Sequence, residues 1–263
     1  MTTIGVIGLG YVGLPLAVAF AGEGCEVIAV DVDQRKIDAI EAGTSYIEDV
    51  PDATLGAVAQ LIHATTRYAD LARADAVLIC VPTPLTRNRE PDLGPLIDST
   101  RALAEVLQAG QLVVLESTTY PGTTRERVAP LLEESGLKAG RDFHLAFSPE
   151  RVDPGRTDFT LRNTPKVVGG LTEACAERAG EIYGLVCDQL VRVSSPEAAE
   201  LCKLLENIFR SVNIALVNEL AMLTDRMGID IWEVVEAAAS KPYGFMRFEP
   251  GPGMGGHCLP VDP

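Results

Sequence analysis

Three groups of residues in this chain have the types and spacing for chemistry. The first is a lone thiol, Cys258, in the closing stretch Glu249 to Pro263 (EPGPGMGGHCLPVDP), where Pro250, Gly251, Pro252, Gly253 and Gly255 leave little side chain to pack. Such a stretch is expected to be a loop that lets backbone approach a ligand and presents the thiol. A thiol so placed serves as a nucleophile, a metal ligand or a small inert hydrophobe. A metal asks for more cysteines or histidines; His257 is the only neighbour and there is no CxxC pair, so no metal site is expected. The second group is Lys203 with Asn207, four residues apart and so on one stripe of a helix. Within Leu201-Cys202-Lys203-Leu204-Leu205 the lysine is either a solvated charge or, with Asn207, one of two donors suited to an oxyanion. The third is Gly8-Leu9-Gly10-Tyr11-Val12-Gly13, with Asp31 following Gly13 by 18 residues.

The third group reads as a dinucleotide site because of what surrounds it. A short apolar strand, Ile4 to Ile7, runs into the glycines and Leu14 to Gly22 reads as a helix, which is the strand, turn and helix setting that GxGxxG needs. The first glycine makes the tight turn, the second admits a pyrophosphate, the third packs helix on strand, and the helix N-terminus offers free N–H groups. A second strand, Glu26 to Val30, delivers Asp31 to accept from the adenosine ribose. No arginine follows Asp31 immediately and Asp33 is close by, so NAD is expected over NADP. Cofactor contacts are expected from Gly8, Gly10, Tyr11, Val12, Gly13 and Asp31.

Further alternation places the rest. Strands are expected at Ala76 to Val81, Leu112 to Glu116, His144 to Ser148, Lys166 to Gly169 and Gln189 to Val193, with helices at 34–42, 95–107, 123–135 and 172–184 between them. That pattern specifies an α/β fold: a Rossmann-like, doubly wound parallel sheet, with ligands beyond the strand C-termini. Three strand ends carry rigid or polar runs: Val81-Pro82-Thr83-Pro84, Glu116 to Thr124, and Ser148-Pro149-Glu150-Arg151. Each alone is consistent with turn chemistry; together, on the ligand edge, they point to a site. A long helix begins after Ser194 and Ser195, with Pro196 at its first position and no Gly or Pro before Gly228. At 1.5 Å per residue it spans roughly 48 Å, long enough to bridge domains or subunits. One more helix, Asp230 to Ser240, completes an all-helical central region. The expected division is an NAD-binding Rossmann domain at 1–193, then the long helix and a helical dimerisation and catalytic-loop region at 194–263.

Composition excludes several classes. The 263 residues carry a formal net charge of −15, which argues against nucleic acid or an anionic membrane as partner. Apolar runs such as Leu14 to Ala21 fall far short of the ~18 residues of a membrane span, and no basic segment precedes one at the N-terminus, so a cytoplasmic location is expected. Six cysteines scattered without paired spacing fit reduced thiols.

Taken together, GLGYVGLPLA, VPTPL, LESTTYPGTT, SPERVDPG, the Glu200 to Glu219 helix and GPGMGGHCLPVDP resemble the UDP-glucose/GDP-mannose dehydrogenase family, the NAD-dependent four-electron alcohol oxidisers of nucleotide sugars. SPERVDPG and STTYPGTT are most similar to the branch acting on UDP-N-acetylhexosamines, especially UDP-N-acetylglucosamine 6-dehydrogenases. The resemblance implies Cys258 as nucleophile, Lys203 and Asn207 as oxyanion donors, Thr118 and Asp262 acting with a water in proton transfer, and Glu150 assisting hydrolysis. It implies substrate contacts from Glu150, Arg151, Lys203, Asn207, Arg247 and Gly255, and cofactor contacts also from Val81, Pro82, Thr83 and Thr118. The apolar stripe of the long central helix is expected to form a homodimer. Phe209 stands where the UDP-glucose branch has tyrosine. In this family a second Rossmann-like domain that holds much of the UDP follows the cysteine loop; the sequence stops before it, and these 263 residues alone are expected to bind NAD without turning over sugar. Two rival readings are a regulatory NAD-binding module and a hydroxyacid dehydrogenase, which uses a helical lysine but no cysteine.

Overall fold

The computed structural model describes residues 1–86, 88, 90–151 and 158–252. The chain divides into two compact units, Met1–Leu201 and Cys202–Pro263. In chain order the first unit runs β1 (Thr3–Ile7), α1 (Gly13–Gly22), β2 (Glu26–Val30), α2 (Gln34–Glu41), α3 (Asp52–Val58), β3 (Ile62–Thr65), β4 (Ala76–Ile79), α4 (Gly94–Ala104), β5 (Leu112–Leu115), α5 (Ala129–Leu132), β6 (His144–Phe147), β7 (Lys166–Gly170), α6 (Glu173–Tyr183) and β8 (Leu190–Val193). Then come α7 (Pro196–Met227), within which the division between units falls, and α8 (Ile231–Ala239).

The strands form one sheet in the order β3-β2-β1-β4-β5-β6-β7-β8. The chain steps outward from β1 to β3 on one side, then returns through β4 to the other, which is the doubly wound arrangement with its switch point between β1 and β4. Its central strands are apolar on both faces because helices cover both: Ile4, Val6, Val77, Leu78, Val113 and Val114 are all fully buried. Phe20 on α1 and Tyr183 on α6 meet with ring centroids 6.5 Å apart.

The sheet is not wholly parallel, as the sequence had suggested. β7 runs antiparallel to β6, with Ala146 opposite Gly170 and Phe147 opposite Gly169. A parallel return needs a crossover, and the described residues between Phe147 and Lys166 supply no helix for one. β3, whose Ile62-His63-Ala64-Thr65 is too short and polar to announce itself, pairs with β2 at the sheet edge. The expected helix at 123–135 is broken into a π turn at Thr124–Val128, α5, and a 3₁₀ turn at Glu133–Ser135, in keeping with Pro130, which has no N–H to continue an α ladder. The long helix has the expected 32 residues, and the Ser195 hydroxyl accepts from the Ala198 N–H at 3.3 Å in its first turn.

Candidate active site

The glycine turn between β1 and α1 shows what each glycine is for. Gly8 has φ of +90°, and a Cβ there would lie 2.8 Å from the Cys80 carbonyl oxygen; at Gly13 it would lie 1.8 Å from the Gly8 carbonyl oxygen. Those two are demanded by the fold itself. At Gly10 a Cβ would meet nothing within 4 Å. No described residue crowds that position, and a pyrophosphate laid against the backbone fits the open space. No side chain caps α1 and its first turn holds no acidic residue, leaving its positive end for an anion. Tyr11 and Val12 flank that end, Tyr11 being exposed. The hydroxyl of Tyr46 donates to the Leu9 carbonyl at 2.8 Å and so braces the turn.

Asp31, at the end of β2, is buried and accepts from the N–H groups of Leu9 at 2.7 Å and Asp33 at 2.9 Å and from the Lys36 ammonium at 2.8 Å. A carboxylate offers about four acceptor positions, so among the described residues one remains for a ribose hydroxyl. Lys36 was not singled out in the sequence. The two cations that follow Asp31 are both engaged by carboxylates, Lys36 by Asp31 and Arg35 by Asp33 at 2.7 Å.

The loops after β4 and β5 are fastened to each other. The Thr83 hydroxyl donates to the Thr118 carbonyl at 2.8 Å, and the Ser117 hydroxyl to the Val81 carbonyl at 2.6 Å. Val81, Thr83 and Thr118, with the exposed Pro82 between the first two, therefore share one stretch of the carboxyl edge, and the Val81 nitrogen lies 3.0 Å from where a Gly8 Cβ would be. A further buried acid, Glu200 in the first turns of α7, accepts from the N–H groups of Gly122 at 2.6 Å and Thr124 at 2.8 Å and from the Thr124 hydroxyl at 2.7 Å. Glu200 thereby caps the turn after β5. Arg125 and Glu197 close the same junction with a 2.6 Å ion pair.

At the ends of β5 and β6 a buried ionic cluster gathers. Lys166, the first residue of β7, donates to Glu116 at 2.8 Å and lies 3.4 Å from Glu150. The Tyr183 hydroxyl also donates to Glu116. Burial alone would lower the pKa of Lys166, but Glu116 and Glu150 outweigh it and hold the ammonium above its usual range. Arg151 is held back, donating to the Pro165 carbonyl at 2.7 Å.

In the second unit, Asn207 is buried and Lys203 half-buried, while Leu205 and Leu216 of the same helix are exposed, by 63% and 55%. Phe209 meets Phe248 edge to face with centroids 5.9 Å apart. The Asn218 side chain accepts from the Gly251 N–H at 2.9 Å, tying the segment before the cysteine loop to α7. Arg247 pairs with Glu249 at 2.8 Å. Cys258, Asp262 and Gly255 lie outside the described residues. The five described cysteines are free thiols, four of them buried, and no group of metal-binding side chains occurs among the described residues.

A doubly wound sheet with this glycine turn and an acid after β2 defines a dinucleotide-binding domain, here followed by a long helix. Residues 2–186 match the NAD binding domain of the UDP-glucose/GDP-mannose dehydrogenase family and residues 197–263 its central domain, and the chain belongs to that family. It is 40% identical over 262 residues to the UDP-N-acetyl-D-glucosamine 6-dehydrogenase of Pseudomonas aeruginosa, covering 99% of this chain and 61% of that protein. It is 42% identical over 264 residues to the UDP-N-acetyl-D-mannosamine dehydrogenase of Pyrococcus horikoshii, covering 99% and 62%. The solved structure of the UDP-D-ManNAc dehydrogenase from Pyrococcus horikoshii superposes with a TM-score of 0.94 at 41% identity, over 99% of this chain and 63% of that one. The chain thus spans about three fifths of the length of these relatives. No helix among the described residues is long and apolar enough to cross a membrane.

Proposed function

We infer that this protein oxidises the C6 hydroxyl of a UDP-N-acetylhexosamine to the uronic acid with NAD, and that the sugar is N-acetylglucosamine. The observation that carries the reading is the match of 99% of the chain to a named UDP-N-acetyl-D-glucosamine 6-dehydrogenase at 40% identity. N-acetylmannosamine is the second reading, favoured by the 42% identity to the Pyrococcus horikoshii enzyme. Mass spectrometry of the products formed from each UDP-sugar with NAD decides between them. The uronate of UDP-N-acetylglucosamine, with two NADH per product, is the expected outcome; product from UDP-N-acetylmannosamine alone reverses the assignment.

When bound, NAD supplies the hydride acceptor for both oxidation stages. The glycine turn and the N-terminus of α1 would hold its pyrophosphate, Asp31 its adenosine ribose, and the fastened loops of Val81, Pro82, Thr83 and Thr118 its other half. The chain's own residues supply the rest. An aldehyde carries no alkoxide to push out a second hydride until a nucleophile adds to it, so the Cys258 thiolate adds to C6 and forms a thiohemiacetal. Lys203 and Asn207 stabilise the alkoxide that precedes each oxidation. The second oxidation leaves a thioester on Cys258. Thr118 and Asp262 act with a bound water in the proton transfer that accompanies oxidation. Water then adds to the thioester carbon, its proton passing to Glu150, and the adduct expels the thiolate. Arg151, Arg247 and Gly255 contact the substrate. The protein works as a homodimer whose partner covers the exposed apolar side of α7, and sedimentation velocity checks this.

A further inference from the structure

The one antiparallel pairing of the sheet, between β6 and β7, has a chemical consequence. A parallel β7 would begin at the edge away from the cofactor; because β7 runs the other way, its first residue lies at the carboxyl edge with the ends of β5 and β6. Continuing the β6–β7 register past Phe147 and Gly169 sets Glu150 opposite Lys166, and the side chains meet across that gap at 3.4 Å. A lysine buried to 3% of its side-chain area with no carboxylate would be expelled or discharged; here Glu116, wholly buried at 2.8 Å, supplies that partner. Tyr183, at the end of α6, takes the other Glu116 oxygen with its hydroxyl. The ammonium also lies 5.2 Å from the centre of the Tyr183 ring. Lys166 is thus fixed from below by groups that never reach solvent, while Glu150, at 18% exposure, carries its other side to the surface of the edge.

We propose that Lys166 is a positioning residue for Glu150, with Glu116 and Tyr183 as the platform that holds the ammonium against it. This rests on the reading of Glu150 as the group that takes the proton of the hydrolytic water. The ammonium fixes one Glu150 oxygen and favours its ionised, acceptor form, while the other oxygen, which accepts from the Arg151 N–H at 2.7 Å, is the one that takes the water's proton. In the step served, the water oxygen bonds to the thioester carbon, the proton moves to Glu150, and the carbon–sulfur bond breaks to return the Cys258 thiolate; no electrons are exchanged with the cofactor. Among the described residues, the other titratable groups around Lys166 and Glu150 include Glu116, Tyr183, Cys80 and Cys187; burial keeps both thiols and the phenol protonated, raising all three above their usual range. Arg151 is turned away toward Pro165.

The test separates hydrolysis from the oxidations. Lys166→Met alone strands the Glu116 charge in the core, so the informative variant is Lys166→Met with Glu116→Gln, which removes both charges, alongside Lys166→Arg as the conservative rescue. With NAD and the accepted UDP-sugar, the double variant is expected to keep NAD affinity within about twofold and to retain the first-turnover burst of NADH. Its steady rate should fall by about 10- to 100-fold, the usual range for loss of an effective general base, while intact-protein mass spectrometry shows a sugar adduct accumulating on the enzyme. The acid limb of the pH profile should rise by about one to two units as the carboxylate loses its cation. Lys166→Arg should restore most of the steady rate. A burst and steady rate that fall in parallel with the melting temperature would show a purely structural cluster and overturn the proposal, as would a double variant with unchanged turnover and no adduct. If the unmodified protein, in a form that includes the family's second Rossmann-like domain, forms no NADH with any UDP-N-acetylhexosamine, the functional reading fails first and the role of Lys166 with it.

Discussion

Helices α1 and α7 are both rich in leucine and alanine, yet they bury opposite kinds of side chain. In α1 the residues taken from solvent are Leu14, Leu16, Ala17 and Phe20, all at 1% exposure or less. In α7 the buried residues include Glu200 and Asn207, while Leu205, Val212 and Leu216 stand 55–63% exposed. A helix apolar all round belongs in a core, and β1, β2 and the neighbouring helices give α1 one. The buried acid of α7 is satisfied by three donors from the turn after β5, as a buried carboxylate must be. Its apolar stripe, by contrast, has no cover among the described residues, and a contiguous apolar surface of that kind marks an association face. The first helix is completed by its own chain; the second holds polar groups in place and leaves its apolar side exposed among the described residues.

The sharpest way to break that contrast is to truncate one apolar side chain on each helix. Phe20→Ala should cost about 3–5 kcal/mol of folding stability, the usual price of a large buried aromatic. Leu205→Ala should change folding stability by less than about 0.5 kcal/mol yet weaken self-association. Denaturant titration and sedimentation velocity on the two variants check both halves; equal losses of stability would mean the α7 stripe is covered within one chain. Second in size is Glu200→Ala. It leaves the N–H groups of Gly122 and Thr124 without their acceptor, and an unsatisfied buried group costs about 1–3 kcal/mol, so a loss on the order of 3 kcal/mol is expected in the same titration. The third concerns the end of α1 rather than its side. Asp31→Ala should weaken NAD binding by about 1.5–3 kcal/mol, as for loss of a hydrogen bond to a charged group, while leaving binding of inorganic pyrophosphate largely intact; calorimetry distinguishes the two.

What could be read in the sequence follows the same division. β1, β2, β4 and β5 were legible because a strand covered on both faces must be apolar throughout, and the glycine turn because Gly8 and Gly13 answer to steric limits of the backbone. The 32-residue length of α7 followed from its uninterrupted helix formers. The orientation of β7 was not legible, since Lys166 to Gly170 reads alike in either direction. The contacts Lys166 makes with Glu116, 50 residues earlier, and that Tyr183 makes with it, 67 earlier, exist only after the sheet has formed. The contacts of Glu200 were hidden for a different reason: an acid in the first turns also suits the dipole of its own helix, and nothing local shows that its oxygens are turned to another turn's N–H groups. The distances between Lys203, Asn207 and the first unit's strand ends belong to two separate units, and the cysteine loop lies outside the described residues. The roles given to those side chains therefore rest on the family and not on geometry.

The smallest effect expected separates two acids three residues apart at the start of α7. Arg125, hydrogen-bonded to Glu197, pulls that carboxyl down to about 2. Burial pushes Glu200 the other way, above its ordinary value, against the donors at Thr124 and Gly122. For Glu197 the folded chain binds protons less readily than the unfolded one, so its contribution is fully present above about pH 4.3 and is lost as pH falls toward 2. For Glu200 the sign reverses: the folded state retains its proton more firmly, so stability from this group declines as pH rises through and above the ordinary carboxyl range. Glu197 sits at the surface with 31% of its side chain exposed, where solvent and salt weaken ion pairs, and its share is held to about 0.2–1 kcal/mol. Denaturation midpoints measured from pH 2 to 6 in Glu197→Gln should lose part of the downward slope between 4.3 and 2, lying below the unmodified protein above 4.3 and converging with it toward pH 2. Raising the salt concentration should shrink that difference, whereas the Glu200 contribution, carried by buried hydrogen bonds, should hardly respond. A Glu197→Gln variant with an unchanged acid limb would mean that the Arg125 pair contributes nothing to folding, and that Glu200 alone fastens the start of α7 to the turn after β5.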